Sequence, residues 1–169
     1  LDLALGVAVD YEGDVYLTGY THSEDFPVVN AINSKMAGEY DAFAVKIKGD
    51  GSRLIYSTYL GGCDDDIGEA IAVDEMGNTF ISGYTVSPDF PLANPLFTGN
   101  KDFHSFITKI NPEGTKLVYS TYFAGEGGSD IAVDNKGNAC LTGFISSDTL
   151  PEMNSLYQYQ GKTETFLTK

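Results

Sequence analysis

The strongest constraint in this sequence is an internal repeat with a period of 60 to 64 residues. The segment VAVDYEGDVYLTGYT begins at Val7, and it returns as IAVDEMGNTFISGYT from Ile71 and as IAVDNKGNACLTGFI from Ile131. A DFP motif at residues 25–27 recurs at residues 89–91 and becomes TLP at residues 149–151. A chain with this periodicity builds one structural unit several times in succession.

Two further motifs complete the repeat. AFAVKI from Ala42 returns as SFITKI from Ser105 and as TFLTK from Thr165, and LIYSTYLGG from Leu54 returns once, as LVYSTYFAG from Leu117. Each full repeat therefore has four short runs rich in β-branched and aromatic residues, separated by Gly, Asn, Asp and Pro. These runs predict an all-β fold of four-stranded antiparallel blades, as in a β-propeller. The predicted units are two complete blades at 1–62 and 63–125, and a third blade without its outer strand at 126–169.

A recurrent Asp begins the connection between the first two runs of each repeat. The connections read DYEG, DEMG and DNKG, which fits a type I turn closed by a left-handed Gly. We therefore expect positive φ at Gly13, Gly77 and Gly137. The turn explains the recurrent aspartates as acceptors of backbone N–H groups, in preference to a metal-binding or catalytic role. Those aspartates are Asp10, Asp74 and Asp134.

The second run of each repeat predicts how the sheets are packed. Both of its faces carry apolar side chains or a Gly, which is typical of a strand between two sheets. The recurrent Gly19, Gly83 and Gly143 predict a close approach by a neighbouring sheet or loop. In an isolated arc of blades, we expect exposed apolar surface at the two ends. The residues expected to carry that surface are Tyr16, Leu17, Phe80 and Ile81.

These motifs in this order resemble the SBBP repeats, which are named as seven-bladed β-propeller repeats of bacterial and archaeal proteins. The resemblance covers two full copies and one truncated copy, and the third copy departs with Leu150 for Phe and Glu164 for Asp41. It implies a secreted or cell-surface protein, and it brings no catalytic residues.

The composition excludes several classes of function. With 24 Asp and Glu against 10 Lys and Arg, the net charge is -14, so neither nucleic acid nor an anionic membrane is an expected partner. The single arginine, Arg53, cannot form the arginine cluster of a sialidase-like site. His22 and His104 have no counterparts in the other copies and lie in no nucleophile or metal-ligand motif. No apolar run is long enough to span a membrane, and we expect no enzymatic activity.

The acidic segment GGCDDDIGEA is the one candidate ligand site, and it is predicted as a loop between the first two blades. Calcium binds six to eight carboxylate and carbonyl oxygens, so this segment predicts a possible calcium site; no other cofactor is expected. The alternative is a solvated loop with no ligand. The candidate ligands are Asp64, Asp65, Asp66 and Glu69.

Recurrent lysines and tyrosines are interpreted as structural. A lysine that ends a strand can lay its stem on apolar surface while its charge reaches water, as expected of Lys46, Lys109 and Lys169. The tyrosine pairs Tyr56/Tyr59 and Tyr119/Tyr122 are expected to pack between blades with their hydroxyls at the rim. Cys63 and Cys140 are expected to be unbridged, with Cys140 a small buried hydrophobe.

The expected function is that of a non-enzymatic structural or adhesive module of a secreted or cell-surface prokaryotic protein. The alternative is a propeller that recognises glycans or calcium through its loops. Because two complete blades and a third without its outer strand do not close a ring, the expected partners are further blades of a longer chain or other copies of the chain. Surface proteins and glycans are further possible partners. The absence of an initiator Met is expected of a processed chain or of a segment cut from a longer protein.

Overall fold

The computed structural model describes residues 1–98, 105–123, 125, 129–145 and 163–169. Eleven strands form three antiparallel sheets in these residues, which contain no helix. In each sheet the strands pair in chain order, each with the next one along the chain. The all-β prediction is confirmed, including the number of strands in each unit. No described residues form a helix with the length and apolarity needed to cross a membrane.

The first sheet has four strands: β1 (Asp2–Val9), β2 (Val15–Thr21), β3 (Asp41–Ile47) and β4 (Leu54–Leu60). The second sheet repeats this arrangement with β5 (Asp66–Val73), β6 (Thr79–Thr85), β7 (Ser105–Ile110) and β8 (Leu117–Phe123). The third sheet has three strands among the described residues: β9 (Asp130–Val133), β10 (Ala139–Ile145) and β11 (Glu164–Thr168).

The turns that join the first two strands of each sheet have the predicted geometry. Gly13, Gly77 and Gly137 have φ values of 83°, 80° and 76°. Asp10 Oδ1 accepts hydrogen bonds from the N–H groups of Glu12 and Asp14, at 3.0 and 2.9 Å. Asp74 and Asp134 make the same two bonds in the other sheets. The structural interpretation of the recurrent aspartates is confirmed.

The glycines of the second strand contact a different element from the one predicted. A Cβ built on Gly19 would overlap the carbonyl oxygen of Leu3, and one built on Gly83 would overlap that of Ile67. These carbonyls belong to β1 and β5, the partner strands within the same sheets, where the register shifts at a β-bulge. The close approach therefore occurs within each sheet, because the bulge brings one strand backbone over its neighbour.

The DFP motif covers the outer half of the first sheet and of the second sheet. Phe26 packs on Phe43 with ring centroids 4.9 Å apart, and Phe90 packs on Phe106 at 4.4 Å. The connection then runs along the outer strand, where Val29 pairs with Ser57 and Ala93 with Ser120. This segment shields the outer edge of β4 and β8, which would otherwise be open to pairing with another chain.

Two hydrophobic clusters lie between consecutive sheets. Strand β5 contacts β1, β2 and β3, and β9 contacts β5 and β6, so the first strand of each sheet packs on the preceding sheet. The first cluster joins Tyr16, Ala44 and Tyr56 to Ile71 and Ile81. The second cluster repeats the arrangement between the second and third sheets. It includes Phe80, Ile107, Ile131, Leu141 and Phe166.

Candidate functional site

The four predicted calcium ligands lie in two different kinds of structure. Asp64 and Asp65 belong to the connection between β4 and β5, whereas Asp66 and Glu69 lie within β5 itself. The prediction of one continuous acidic loop is therefore wrong for Asp66 and Glu69. Asp64 is exposed, Asp65 and Glu69 are half-buried, and Asp66 is fully buried. The ion-binding role of these residues stays a prediction.

Asp66 organises the connection that precedes it. Its Oδ2 accepts a 2.7 Å hydrogen bond from Gly62 N–H and a 2.9 Å bond from the Ser87 hydroxyl. Its Oδ1 is buried and has no hydrogen-bond partner. Burial raises the pKa of Asp66 to about 6, although the Thr85 hydroxyl and the hydrogen bonds from Gly62 and Ser87 oppose this shift.

A second buried carboxylate lies beside Asp66. Asp41 begins β3, and its two oxygens accept hydrogen bonds from Ala37 and Gly38 N–H, each at 2.9 Å. A Cβ built on Gly61 would lie 2.8 Å from both Asp41 Oδ1 and Asp66 Oδ2, so both carboxylates contact this glycine. Burial raises the pKa of Asp41, and the charge of Asp89 adds to the effect.

Asp89 binds the other side of the connection between β4 and β5. Its Oδ1 accepts a 2.8 Å hydrogen bond from Cys63 N–H, and Ser87 Oγ accepts one of 2.9 Å from Asp64 N–H. The hydrogen bonds from Cys63 lower the pKa of Asp89. The recurrent DFP motif thus contributes its Asp to the junction between the first two sheets. Among the described residues, no three His, Cys, Asp or Glu side chains are grouped so that they could hold a metal ion.

Charge is distributed unequally between the two ends of the sheets. At one end, β1, β3 and β5 begin and β2, β4 and β6 end; we call it the acidic end. Among the described residues, Lys35 is the only lysine in the connections there. The carboxylates at or next to this end are Asp2, Glu24, Asp25, Glu39, Asp41, Asp64, Asp65, Asp66 and Asp89. A surface with this charge attracts cations and repels anions.

Every other described cationic side chain lies at the opposite end, at or near the turns. Lys46 and Lys109 are two of the three lysines predicted to send their charge into water, and the prediction is wrong for these two. Lys46 Nζ lies 3.6 Å from Asp10 and 3.5 Å from Asp14, and Lys109 Nζ lies 3.2 Å from Asp74. Both ammonium groups also lie over an aromatic ring, that of Tyr16 at 4.8 Å and that of Phe80 at 4.5 Å.

The third sheet keeps the ion pair but not the ring. Lys169 Nζ lies 2.6 Å from Asp134 Oδ2, and Cys140 occupies the position of Tyr16 and Phe80. Hydrogen bonds from Asn138 and Lys169 hold the pKa of Asp134 far below its usual range. Cys140 is half-buried, which corrects the prediction of a buried residue, and both cysteines are free as predicted.

Sequence reasoning missed this repeated ion pair although its two signals were both present. Asp10, Asp74 and Asp134 recur with Lys46, Lys109 and Lys169 in every copy. In an antiparallel meander, the end of the third strand lies beside the start of the second, next to the first turn. The register pairs Tyr16 with Lys46 and Phe80 with Lys109. Combining the predicted topology with the two recurrences would have found the pair.

The predicted position of the hydroxyls, at the rim, is also wrong for Tyr56, Tyr59 and Tyr122. Tyr56 is fully buried between the first two sheets, and its hydroxyl lies 2.6 Å from Thr79 Oγ1. Tyr59 and Tyr122 donate 2.7 Å hydrogen bonds to the carbonyls of Ser23 and Ser87 in the covering connections. Each of these hydroxyls donates its hydrogen bond inside the fold, where it takes the place of a backbone donor that the connection lacks.

The one histidine among the described residues, His22, makes contacts within the fold. His22 Nδ1 lies 2.6 Å from the carbonyl oxygen of Glu39, and its ring packs on Tyr40. These contacts hold the connection between β2 and β3 at the acidic end. His104 lies outside the described residues.

Comparison with known proteins agrees with this arrangement of sheets. Residues 6–27 and 55–91 match the model of a family described as the SBBP beta-propeller repeat. No match was found among curated proteins. The first matched segment covers β1, β2 and the DFP motif, and the second covers the outer strand of the first sheet and the same elements of the second sheet. These two segments are therefore similar to the β-propeller repeats of the SBBP family.

Proposed function

We propose that the chain is a non-enzymatic structural or adhesive propeller module of a secreted or cell-surface prokaryotic protein. One observation carries the proposal: the recurrent polar residues are used to build the blades. The recurrent Asp and Lys form ion pairs, and the DFP motif covers the outer strands. SBBP repeats are also generally non-catalytic.

Localisation is the most direct test of this function. An antibody against the chain should label intact cells of the source organism or detect the protein in the medium, and protease treatment of intact cells should remove the cell-bound signal. A cytosolic protein of the same cells is the control, because it should be labelled only after lysis. Detection only after lysis would contradict the proposal.

A second candidate function is recognition of calcium or glycans at the acidic end. The observation that favours calcium is the buried Asp66 Oδ1, which has no hydrogen-bond partner, in a carboxylate that contacts Gly61 together with that of Asp41. An ion that binds only the folded state stabilises it by RT ln(1 + [L]/Kd), where [L] is the concentration of the free ion. Excess calcium should then raise the Tm of the protein, whereas magnesium should raise it less.

Two variants sharpen the calcium test. Asp66→Asn should abolish the calcium-dependent rise in Tm, whereas Asp50→Asn, in an exposed turn at the opposite end, should preserve it. An unchanged Tm in calcium would reject this candidate. Glycan binding is tested separately on a glycan array, where an absence of binding would reject that alternative.

A further inference from the structure

Three aromatic side chains meet at the acidic end of the first sheet, where β2 ends and β3 begins. The rings of Tyr20 and Tyr40 are nearly perpendicular, with centroids 5.7 Å apart, and the ring of His22 lies 5.1 Å from that of Tyr40. We call these three residues the aromatic cluster. His22 is exposed, and both tyrosines are half-buried, so the cluster is open to solvent on one side.

Backbone hydrogen bonds fix the aromatic cluster to the strands beside it. The carbonyl of Tyr40 accepts a 2.7 Å bond from Asp66 N–H in β5, and His22 N–H donates a 2.8 Å bond to the carbonyl of Leu1. The ring of His22 is itself bonded to the carbonyl of Glu39. The three rings are therefore held in place before a ligand arrives, which reduces the entropy that is lost on binding.

The hydrogen bond of His22 defines what its ring offers to a ligand. A carbonyl oxygen only accepts hydrogen bonds, so Nδ1 carries the proton that is shared with the carbonyl of Glu39. In the neutral ring, Nε2 is then a hydrogen-bond acceptor. The carboxylate of Glu39, an exposed residue next to Tyr40, is a second acceptor beside the cluster.

The charge of this end favours a cation as the ligand. The faces of aromatic rings are negative and attract cations that lie within about 6 Å of the ring centre. The carboxylates of the acidic end add to this negative potential. Calcium binds six to eight oxygens, which three rings and one carboxylate do not supply. The aromatic cluster therefore suits an organic cation, whose body can pack on the rings.

Among organic cations, a guanidinium group matches the aromatic cluster most closely. It is planar, stacks on aromatic faces, is weakly hydrated and donates paired N–H bonds to a carboxylate. An ammonium group is compact and strongly hydrated, so it gains less from contact with the rings. The two acceptors beside the rings, Glu39 and Nε2 of His22, are the partners that a guanidinium group requires.

The sequence sets this cluster apart from the residues that build the blades. The positions of the two tyrosines are aromatic in both full repeats, but His22 does not recur. The second repeat has Val86 at this position, and the third repeat has Ser146. The set of three rings with a hydrogen-bond acceptor therefore occurs once, as expected of a binding site and not of a structural motif.

We propose that the aromatic cluster and Glu39 bind the guanidinium group of an arginine side chain on a partner polypeptide. The group packs on the open side of the tyrosine rings and donates hydrogen bonds to the Glu39 carboxylate and to His22 Nε2. This inference rests on the adhesive form of the proposed function and deepens it, because it names the chemistry of a partner.

A peptide with a single cationic side chain tests this directly. An end-blocked Gly-Arg-Gly peptide is titrated into the chain at physiological salt, and the ring signals of Tyr20, His22 and Tyr40 are followed by NMR. The matched peptide carries citrulline, which keeps the shape of arginine but has no charge. The arginine peptide should cause saturable shifts of these signals, whereas the citrulline peptide should not.

A pair of charge variants separates the site from the overall charge of the protein. Glu39→Gln and Glu12→Gln remove the same charge, but Glu12 is an exposed residue of the first turn, at the opposite end of the sheet. Glu39→Gln should weaken binding of the arginine peptide by about threefold. Glu12→Gln should leave it nearly unchanged. Because both residues are exposed, both variants should fold.

A pair of tyrosine variants tests the rings. Tyr20→Leu keeps an apolar side chain but removes the aromatic face, so it should also weaken binding by about threefold. Tyr11→Leu is the control, because Tyr11 is 86% exposed in the first turn, far from the cluster. It should leave the affinity for the arginine peptide unchanged.

Several results would overturn the proposal. Equal effects of Glu39→Gln and Glu12→Gln would show that the net charge of the protein explains binding. Equal affinity for the citrulline peptide, or for the corresponding lysine peptide, would show that the guanidinium group is not recognised. Shifts of the same ring signals by a neutral oligosaccharide, without shifts by the arginine peptide, would overturn the proposal in favour of a glycan. The localisation test is independent of this titration, so failure of the inference is distinguishable from failure of the proposed function.

Discussion

The ammonium of Lys109 lies 3.2 Å from the carboxylate of Asp74, across two strands of the second sheet. Burial alone would raise the pKa of Asp74, but hydrogen bonds from Asn78 and the contact with Lys109 lower it instead. The turn carboxylate is thus kept ionised inside the blade. Its charge fixes the end of the third strand against the first turn.

Removing this lysine should therefore weaken the second sheet. Lys109→Met keeps the length of the side chain but leaves Asp74 with its turn and Asn78 hydrogen bonds alone, so we expect a loss of roughly 2 kcal/mol in the free energy of unfolding. Urea unfolding measures the loss. Lys136→Met, at an exposed turn position, is the control and should change stability by less than about 0.5 kcal/mol. Equal effects of the two substitutions would contradict a structural role for the pair.

The hydroxyl of Tyr56 should contribute to the junction between the first two sheets. Tyr56→Phe leaves the buried Thr79 hydroxyl without this 2.6 Å contact, so we expect a loss of about 1 to 2 kcal/mol. Tyr119→Phe is the matched control in the next sheet, where no hydrogen bond of the hydroxyl is found among the described residues. Comparable losses in the two variants, measured by urea unfolding, would show that the contact across the junction is not the cause.

The stability of the chain should depend on the protonation of Asp66. Because its folded pKa, about 6, lies above the ordinary value of 3.8, the folded state binds this proton more tightly than the unfolded state. The contribution of Asp66 to stability is thus present below about pH 4 and is lost as the pH rises through 6. The loss is on the order of 3 kcal/mol.

Asp66→Asn isolates this contribution, because an amide resembles the protonated acid in shape and charge. Relative to the unsubstituted chain, the variant should be of similar stability near pH 4 and more stable at pH 7. The free energy of unfolding of both proteins, measured by urea unfolding from pH 4 to pH 7, gives the difference directly. A difference that stays constant over this range, or a variant that is less stable at pH 7, would contradict the placement of Asp66.

Two recurrent glycines should differ in their tolerance of a methyl group. In Gly77→Ala the added Cβ makes ordinary van der Waals contacts, the nearest at 3.6 Å, and the cost comes from a side chain at positive φ. We expect it to cost about 1 kcal/mol. Gly83→Ala places a Cβ against the backbone of Ile67, which cannot move without breaking the β5–β6 pairing, so about 3 kcal/mol is expected. Urea unfolding that gives the reverse order would show that the bulge in β5 is not as described.

The repeat predicted most of the fold because it is local and periodic. The turns at Asp10 and Asp74 and the strands that flank them follow from short patterns. The arrangement across sheets was harder to predict. Tyr16, Phe80 and Ile81 were expected at exposed ends but are fully buried, and Leu17 is half-buried. The sequence pattern does not show which face of a strand points to which neighbour.

The candidate site was predicted less well because it depends on residues from several segments. Asp41 and Asp89 lie 48 positions apart in the sequence, yet both reach the Gly61–Gly62 connection. Asp66 differs from Asp64 and Asp65 only by its place in a strand, which buries its carboxylate. A run of acidic residues in the sequence does not show which of them is buried, since burial is set by the packing of the second sheet on the first.

The central claim is that consecutive blades stack face to face, and one contact tests it directly. A Cβ built on Gly6 would lie 3.1 Å from Ile71 Cγ2, so an α-hydrogen of Gly6 points at that methyl group across the junction. The account predicts a strong nuclear Overhauser effect between the Gly6 α-hydrogen and the Ile71 γ2 methyl in the folded protein. The absence of this effect in a protein whose two sheets are otherwise formed would contradict the account.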